Sequence, residues 1–313
     1  DQTAKLIADG IRLLKSDARL VLNADDPRVA ALGKDARVEP VYFGIEDIDH
    51  QKGGEVGAQD SKDCLVCGGP LTYSKRYFSH LGDYSCPKCG FKRPRPQITA
   101  TDLKLTLEAS RFILKTPAGE YKVELGVPAI YNVYNALLAI SIGFTVDVDP
   151  ATSIAALADF QPSFGRLEKI EVDGKHVRLM LIKNPTGFNQ AIETLNLDPD
   201  PKNIIIAIND NLADGTDVSW LWDTDVERMG KTKALITSGI RAHDMALRLK
   251  YSGNKSDIQV EPKLSEALAA GLERTRAGGD LYILPTYTAM LDIRRHLEKM
   301  GGAAAFWQPG DRR

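Results

Sequence analysis

Apolar residues Leu6, Ile7, Ile11, Leu13 and Leu14 recur at helical spacing and predict a helix running to about Lys15. The short apolar run at 19–23 reads as a strand. Asn23-Ala-Asp-Asp-Pro27 ends it, and a second helix starts at Pro27, since proline is tolerated in a first helical turn. Residues 41–43 read as the next strand, so this β-turn-α-β order suggests part of a parallel sheet. Beyond residue 100 the period changes to two. Residues 102–107, 111–114 and 121–125 alternate apolar and polar, which predicts antiparallel strands with a hairpin turn at 116–119 and a helix over 132–143 after them.

A boundary is expected near Gln161-Pro-Ser-Phe-Gly165. After it, a strand at 170–172 turns at Asp173-Gly174 into a strand at 176–182. Apolar strands at 203–209, 234–237 and 281–284 then alternate with helices: a short one around Glu227, then 242–249 and 264–276. Strands alternating with helices predict an α/β domain with a mostly parallel sheet. The expected organisation is one α/β domain over 1–160 and a second, Rossmann-like, over 161–313.

With 313 residues, 43% of them hydrophobic, the chain is long enough for two domains and a small insertion. Its net charge of -2 gives no whole-chain argument for nucleic acid or an anionic membrane. No apolar run approaches the roughly 20 residues that span a bilayer. The absence of a targeting segment, with cysteines expected to be reduced, points to the cytoplasm. The abrupt start, without an initiator methionine, suggests the interior of a longer protein.

The only cysteines form two tight pairs, Cys64-Leu-Val-Cys67 and Cys86-Pro-Lys-Cys89, each followed by glycine. Two residues between thiolates suit two vertices of one tetrahedron, and the intervening segment can bring the second pair round to close it. The alternative, two disulfides in a secreted protein, is disfavoured because a chain this long does not need them to supplement its core. Cys64, Cys67, Cys86 and Cys89 are therefore expected to hold a structural Zn2+ with no open position for water, in a ribbon at about 61–95. The ribbon's basic residues, Lys75, Arg76, Lys88, Lys92, Arg93 and Arg95, are read as a solvated surface rather than a nucleic-acid site.

Three further segments carry candidate chemistry. Leu22-Asn-Ala-Asp-Asp-Pro27 sits at the carboxyl end of a strand, where ligands bind in open α/β sheets, but it equally suits a helix cap. Tyr131-Asn-Val-Tyr-Asn135 opens a helix with Asn132 and Asn135 one turn apart on one face, where amides can read a purine edge; capping is the alternative for Asn132. Phe164-Gly-Arg-Leu-Glu168, followed by Lys183-Asn-Pro-Thr-Gly-Phe-Asn-Gln190, puts Arg166 at the domain boundary, within reach of a phosphate or in a surface salt bridge with Glu168.

Taken in order, Asn-Ala-Asp-Asp-Pro, Tyr-Asn-x-Tyr-Asn-Ala, Gly-Arg-Leu-Glu and Lys-Asn-Pro-x-Gly-Phe-Asn-Gln resemble the Mur ligase superfamily. The four-cysteine insertion and Asn209-Asp-Asn-Leu-Ala-Asp-Gly-Thr-Asp-Val-Ser-Trp220 narrow the resemblance to the ligase-like subunits of lipid II isoglutaminyl synthases. That resemblance implies a Mur ligase central domain with an inserted zinc ribbon and a C-terminal domain. It also implies amidation of the D-glutamate α-carboxyl of the lipid II stem peptide to D-isoglutamine, with ATP and Mg2+, at the inner face of the membrane. Ammonia would come from a GatD-like glutaminase in a heterodimer. Asn132 and Asn135 would contact adenine, Arg166 the nucleotide, and Asn184 would stand where many relatives have a ribose-binding aspartate. Asp210, rather than Asp217, would orient the glutaminase histidine, with Trp220 as an interface anchor; turn capping by both aspartates is the alternative.

No Gly-x-x-x-x-Gly-Lys-Ser/Thr phosphate loop occurs in the sequence, which is the basis for expecting an N-terminally truncated chain, inactive alone. An amino-acid-adding Mur ligase or a folylpolyglutamate synthase relative fits less well, because of the cysteine insertion and the 210–220 segment. A zinc-ribbon scaffold without ATP chemistry is the non-enzymatic alternative.

Overall fold

The computed structural model describes residues 2–47, 61–160, 166–254 and 256–302, with the side chains of residues 166 and 167 outside that description. The chain forms two compact units, Asp1–Gln161 and Pro162–Arg313.

The first unit runs α1 (Gln2–Arg12), β1 (Val21–Asn23), α2 (Pro27–Leu32), β2 (Val41–Ile45), β3 (Thr72–Phe78), β4 (Leu81–Ser85), β5 (Ile98–Leu105), β6 (Ser110–Thr116), β7 (Gly119–Leu125), α3 (Ile130–Thr145) and α4 (Pro150–Ala158). Its main sheet has the order β1-β2-β5-β6-β7, parallel from β1 to β5 and antiparallel from β5 to β7, while β3 and β4 pair separately. Helix α3 lies on the sheet and buries Val133, Leu137 and Ile140 against Ile45, Ile98 and Leu114.

Strand β5 starts four residues before the period-two pattern does. Asp102 takes a left-handed φ of 51°, and the register with β6 shifts between Thr101 and Lys104. A bulge of this kind restarts the alternation, which hid residues 98–101 from a periodicity reading. Helix α3 likewise starts at Ile130 and not at Asn132. Its N-cap is Ala129, at φ 75° with no side-chain cap bond, so the capping alternative for Asn132 is not realised. Helix α4 was not foreseen, although Asp149 accepts from Ala151 N–H and Pro150 opens the first turn.

The second unit runs β8 (Arg166–Val172), β9 (Lys175–Met180), α5 (Pro185–Leu195), β10 (Lys202–Ala207), β11 (Thr232–Ser238), α6 (Ala242–Tyr251), β12 (Ile258–Val260), α7 (Leu264–Arg274), β13 (Asp280–Pro285) and α8 (Tyr287–Lys299). The expected helix around Glu227 is a single 3-10 turn, Val226–Arg228. Strands follow the order β12-β11-β10-β13-β9-β8, and only the β8–β9 hairpin is antiparallel. That hairpin turns at Asp173 and Gly174, both at positive φ (50° and 68°), as a two-residue primed turn requires. Helices α5 and α8 were not foreseen. Each follows an Asn or Thr N-cap, and α8 buries Ala289, Met290, Ile293 and Leu297 at helical spacing. Strand order reverses between β10 and β13, the place where open α/β sheets gather functional loops outside their carboxyl ends.

No helix among the described residues is long and apolar enough to cross a membrane.

Candidate functional site

The four cysteines converge. Cys64 Sγ lies 3.7 Å from Cys89 Sγ and Cys67 Sγ 3.5 Å from Cys86 Sγ, and all four sulfurs fall within 4.8 Å of one another. Zinc–sulfur bonds of about 2.3 Å in a tetrahedron place sulfurs roughly 3.8 Å apart, and disulfide bonding needs about 2.0 Å, so the geometry fits a bound ion and not two bridges. Each knuckle closes with a glycine at positive φ: Gly68 N–H donates to Cys64 O and Gly90 N–H to Cys86 O. Burial raises the Cys86 thiol, but the N–H groups of Cys89 and Lys88 and the neighbouring Cys67 thiol outweigh it and bring the group to about 7. A thiol so disposed is readily deprotonated for metal binding.

The ribbon is anchored through charge. Arg93, read from the sequence as part of a solvated surface, has a side chain only 10% exposed and donates from Nε to Asp25 Oδ1 at 2.7 Å. Its Nη2 donates to Ile45 O at 3.0 Å. Arg76 also leaves bulk solvent, stacking 4.0 Å over the Tyr73 ring. Lys88, Lys92 and Arg95 are exposed, as expected. The planar fork of Arg93 suits the desolvated carboxylate of Asp25, and it is that buried partner which separates Arg93 from those neighbours.

The Asn-Ala-Asp-Asp-Pro segment divides its two aspartates between two tasks. Asp26 caps α2 by accepting from Arg28 and Val29 N–H, and it also meets His80 Nε2 at 3.2 Å. Asp25 is fully buried and joins three elements: Ile45 N–H donates to it from β2, Arg93 from the ribbon, and Tyr134 O–H from α3 at 2.8 Å. Burial pushes the Asp25 carboxyl up to about 6, against the pull of Arg93 and of these donors.

Tyr134 points from α3 into the core, and its neighbours Asn132 and Asn135 lie on the other side. Asn132 is half-buried and donates from Nδ2 to Pro128 O at 2.6 Å, while the exposed Asn135 donates to Asn132 Oδ1 at 3.4 Å. The structure brings these two amides together on one helix face.

In the second unit Arg166 opens β8, and its backbone pairs with Met180. Phe164, Gly165 and the rest of the predicted boundary segment lie outside the described residues. Glu168 forms an ion pair with Arg294 of α8. Asn184 is the N-cap of α5, its Oδ1 accepting from Gly187 N–H at 2.8 Å.

Asp210 follows β10 at the carboxyl edge of the sheet. Arg241, in the loop after β11, donates to a single oxygen of it: Nε to Oδ2 at 2.8 Å and Nη2 to the same oxygen at 2.6 Å. No donor among the described residues reaches Oδ1. Asp217 instead caps the next turn, accepting from Ser219 N–H at 2.8 Å, and hydrogen bonds from Ser219 hold its carboxyl below its usual value. Turn capping, the alternative for both aspartates, therefore describes Asp217 and not Asp210. Trp220, read from the sequence as an interface anchor, is half-buried and packs edge-on against the buried Phe188 with centroids 6.4 Å apart; among the described residues the exposed indole is Trp222.

Thr288, in the first turn of α8, was missed by the sequence reading. Its hydroxyl accepts from Asn209 Nδ2 at 3.0 Å and Asn211 Nδ2 at 2.8 Å, and donates to Asp214 Oδ2 at 2.5 Å. Both chain neighbours of Asp210 are thus tied to one hydroxyl. Nothing in sequence spacing signals pairings across 79 and 77 positions.

Residues 181–290 match the family described as MurT ligase C-terminal. A Streptococcus pneumoniae protein described as subunit MurT of a glutamine-hydrolysing lipid II isoglutaminyl synthase is 34% identical, over 94% of this chain and 65% of that protein. Its Staphylococcus aureus counterpart is 29% identical over 90% of this chain and 62% of its own length. The chain thus spans somewhat under two thirds of these relatives. Among solved structures, a pseudomurein peptide ligase type C from Methanothermus fervidus superposes with a TM-score of 0.70 at 26% identity, covering 95% of this chain and 59% of that one.

Proposed function

The chain is a homologue of MurT ligase subunits, and from that premise we propose that it is the ligase-side subunit of an enzyme that amidates the D-glutamate α-carboxyl of lipid II to D-isoglutamine. The reaction is activation of that carboxyl as an acyl phosphate with ATP and Mg2+, then displacement of phosphate by ammonia. A GatD-like glutaminase, bound as a heterodimer, supplies the ammonia at the inner face of the membrane.

In this reading residues 1–160 are part of a Mur ligase central domain, and residues 161–313 are the C-terminal domain. The paired amides of Asn132 and Asn135 offer donors and acceptors to the adenine edge. Arg166 contacts the nucleotide. Asn184 contributes its side-chain N–H groups toward the ribose while its oxygen caps α5. Cys64, Cys67, Cys86 and Cys89 hold a Zn2+ that organises the ribbon and takes no part in the reaction, since four thiolates leave no open position.

The observation that carries the reading is the carboxylate of Asp210. It projects from the carboxyl edge of a parallel sheet with Oδ2 fixed by Arg241 and Oδ1 left to accept. Cys-His glutaminases need a third group that accepts from the histidine and keeps its productive tautomer. Asp210 supplies that group across the interface. The test is reconstitution with the glutaminase, following conversion of lipid II acid to amide by mass spectrometry with glutamine and, separately, with free ammonia. Glutamine- and ATP-dependent amidation is expected. Absence of amidation from either nitrogen source in a complex that includes the phosphate-binding segment overturns the assignment.

A further inference from the structure

Arg241 does more than neutralise its partner. A symmetric bidentate pair would engage both carboxylate oxygens, one per guanidinium nitrogen. Here both nitrogens converge on Oδ2, which fixes the rotation of the carboxylate and leaves the Oδ1 lone pairs directed elsewhere.

The backbone around the pair is fixed as firmly. Arg241 N–H donates to Ile208 O, two residues before Asp210, and Ile240 N–H donates to Asn209 Oδ1 at 3.0 Å. Gly239 makes this approach possible. It sits at φ 85°, and a Cβ there would lie 2.6 Å from Ile208 O and 2.7 Å from Asn209 Oδ1. The loop after β11 is therefore bound to the loop after β10 by main chain and by side chain, and α8 holds the far side through Thr288.

We infer that Arg241 is a positioning residue for glutamine hydrolysis, holding Asp210 by one oxygen so that the other is presented in a set direction to the partner's catalytic histidine. The inference rests on the role of Asp210 proposed above. Besides geometry, the guanidinium contributes charge. A cation behind the carboxylate reduces the negative potential felt by the histidine, so the histidine keeps a lower pKa than a bare carboxylate would give it.

The test uses the chain in complex with its glutaminase, comparing Asp210→Asn, Arg241→Gln and Arg241→Lys in glutamine hydrolysis as a function of pH. Arg241→Gln is expected to lower kcat by roughly ten- to a hundredfold with KM unchanged, as loss of orientation does. It should also move the acid limb of the profile to higher pH, because the histidine regains affinity for its proton. Arg241→Lys keeps the charge and loses the planar fork, so it should hold the limb in place while recovering only part of kcat. If Asp210→Asn abolishes hydrolysis but Arg241→Gln leaves both kcat and the limb unchanged, the positioning role is overturned and the role of Asp210 stands. If Asp210→Asn is without effect, both fall. A drop in kcat for Arg241→Gln and Arg241→Lys alike, without movement of the limb in either, also overturns the inference, since it reports a structural loss alone.

Discussion

Arg93 of the cysteine ribbon and Asp25 at the end of β1 stand 68 residues apart in sequence and 2.7 Å apart in space, the carboxylate wholly buried. Through that pair, and through Tyr134 bonded to the same carboxylate, the ribbon is joined to the sheet and to the helix that carries Asn132 and Asn135.

Removing one partner should be far worse than removing both. Arg93→Met leaves a buried carboxylate without its cation and is expected to cost about 3–5 kcal/mol. The double change Arg93→Met with Asp25→Asn, which removes the charge and keeps a neutral oxygen for Ile45 N–H and Tyr134 O–H, should recover much of that loss. Urea unfolding of the two variants checks this, and equal losses for single and double variants would refute it.

Asp25 also sets a pH dependence. Its folded value, about 6, lies above the ordinary value of 3.8, so within that window the native state holds more protons than the unfolded one. Stability gained from this group is therefore greatest at the acid end and declines as pH rises through the window. The stability of the wild type relative to Asp25→Asn should therefore fall as pH rises across the same range. A difference that is flat with pH there would show that Asp25 titrates normally.

The ribbon should carry one zinc per chain. Elemental analysis is expected to find it, and chelation should release the amide protection of Gly68 and Gly90, whose N–H groups close the two knuckles. Intact disulfides on mass spectrometry, or knuckles that stay protected without metal, would contradict the assignment.

Asp210→Asn should lower glutamine hydrolysis by the complex roughly a hundred- to ten-thousandfold, the scale of losing a histidine-orienting carboxylate. Amidation from free ammonia should persist. Asp217→Asn keeps an oxygen that can cap Ser219 and should change little. The reverse order of effects would move the role to Asp217.

Where physics acts within a few residues, the sequence was sufficient. The spacing of Cys64, Cys67, Cys86 and Cys89 with their glycines foretold a convergent cluster, and Asp173-Gly174 foretold its hairpin, because knuckles and primed turns are set by local backbone geometry. Strands β10, β11 and β13 were legible because buried parallel strands need continuous apolar runs. Tertiary structure decided the rest. Whether a basic residue of the ribbon faces water or Asp25, whether Trp220 or Trp222 is exposed, and whether Asp210 caps a turn or meets Arg241 all depend on which distant segment closes over it. Desolvation and pairing are properties of three-dimensional neighbourhood, and Thr288 gathering Asn209, Asn211 and Asp214 has no counterpart in any local pattern of the chain.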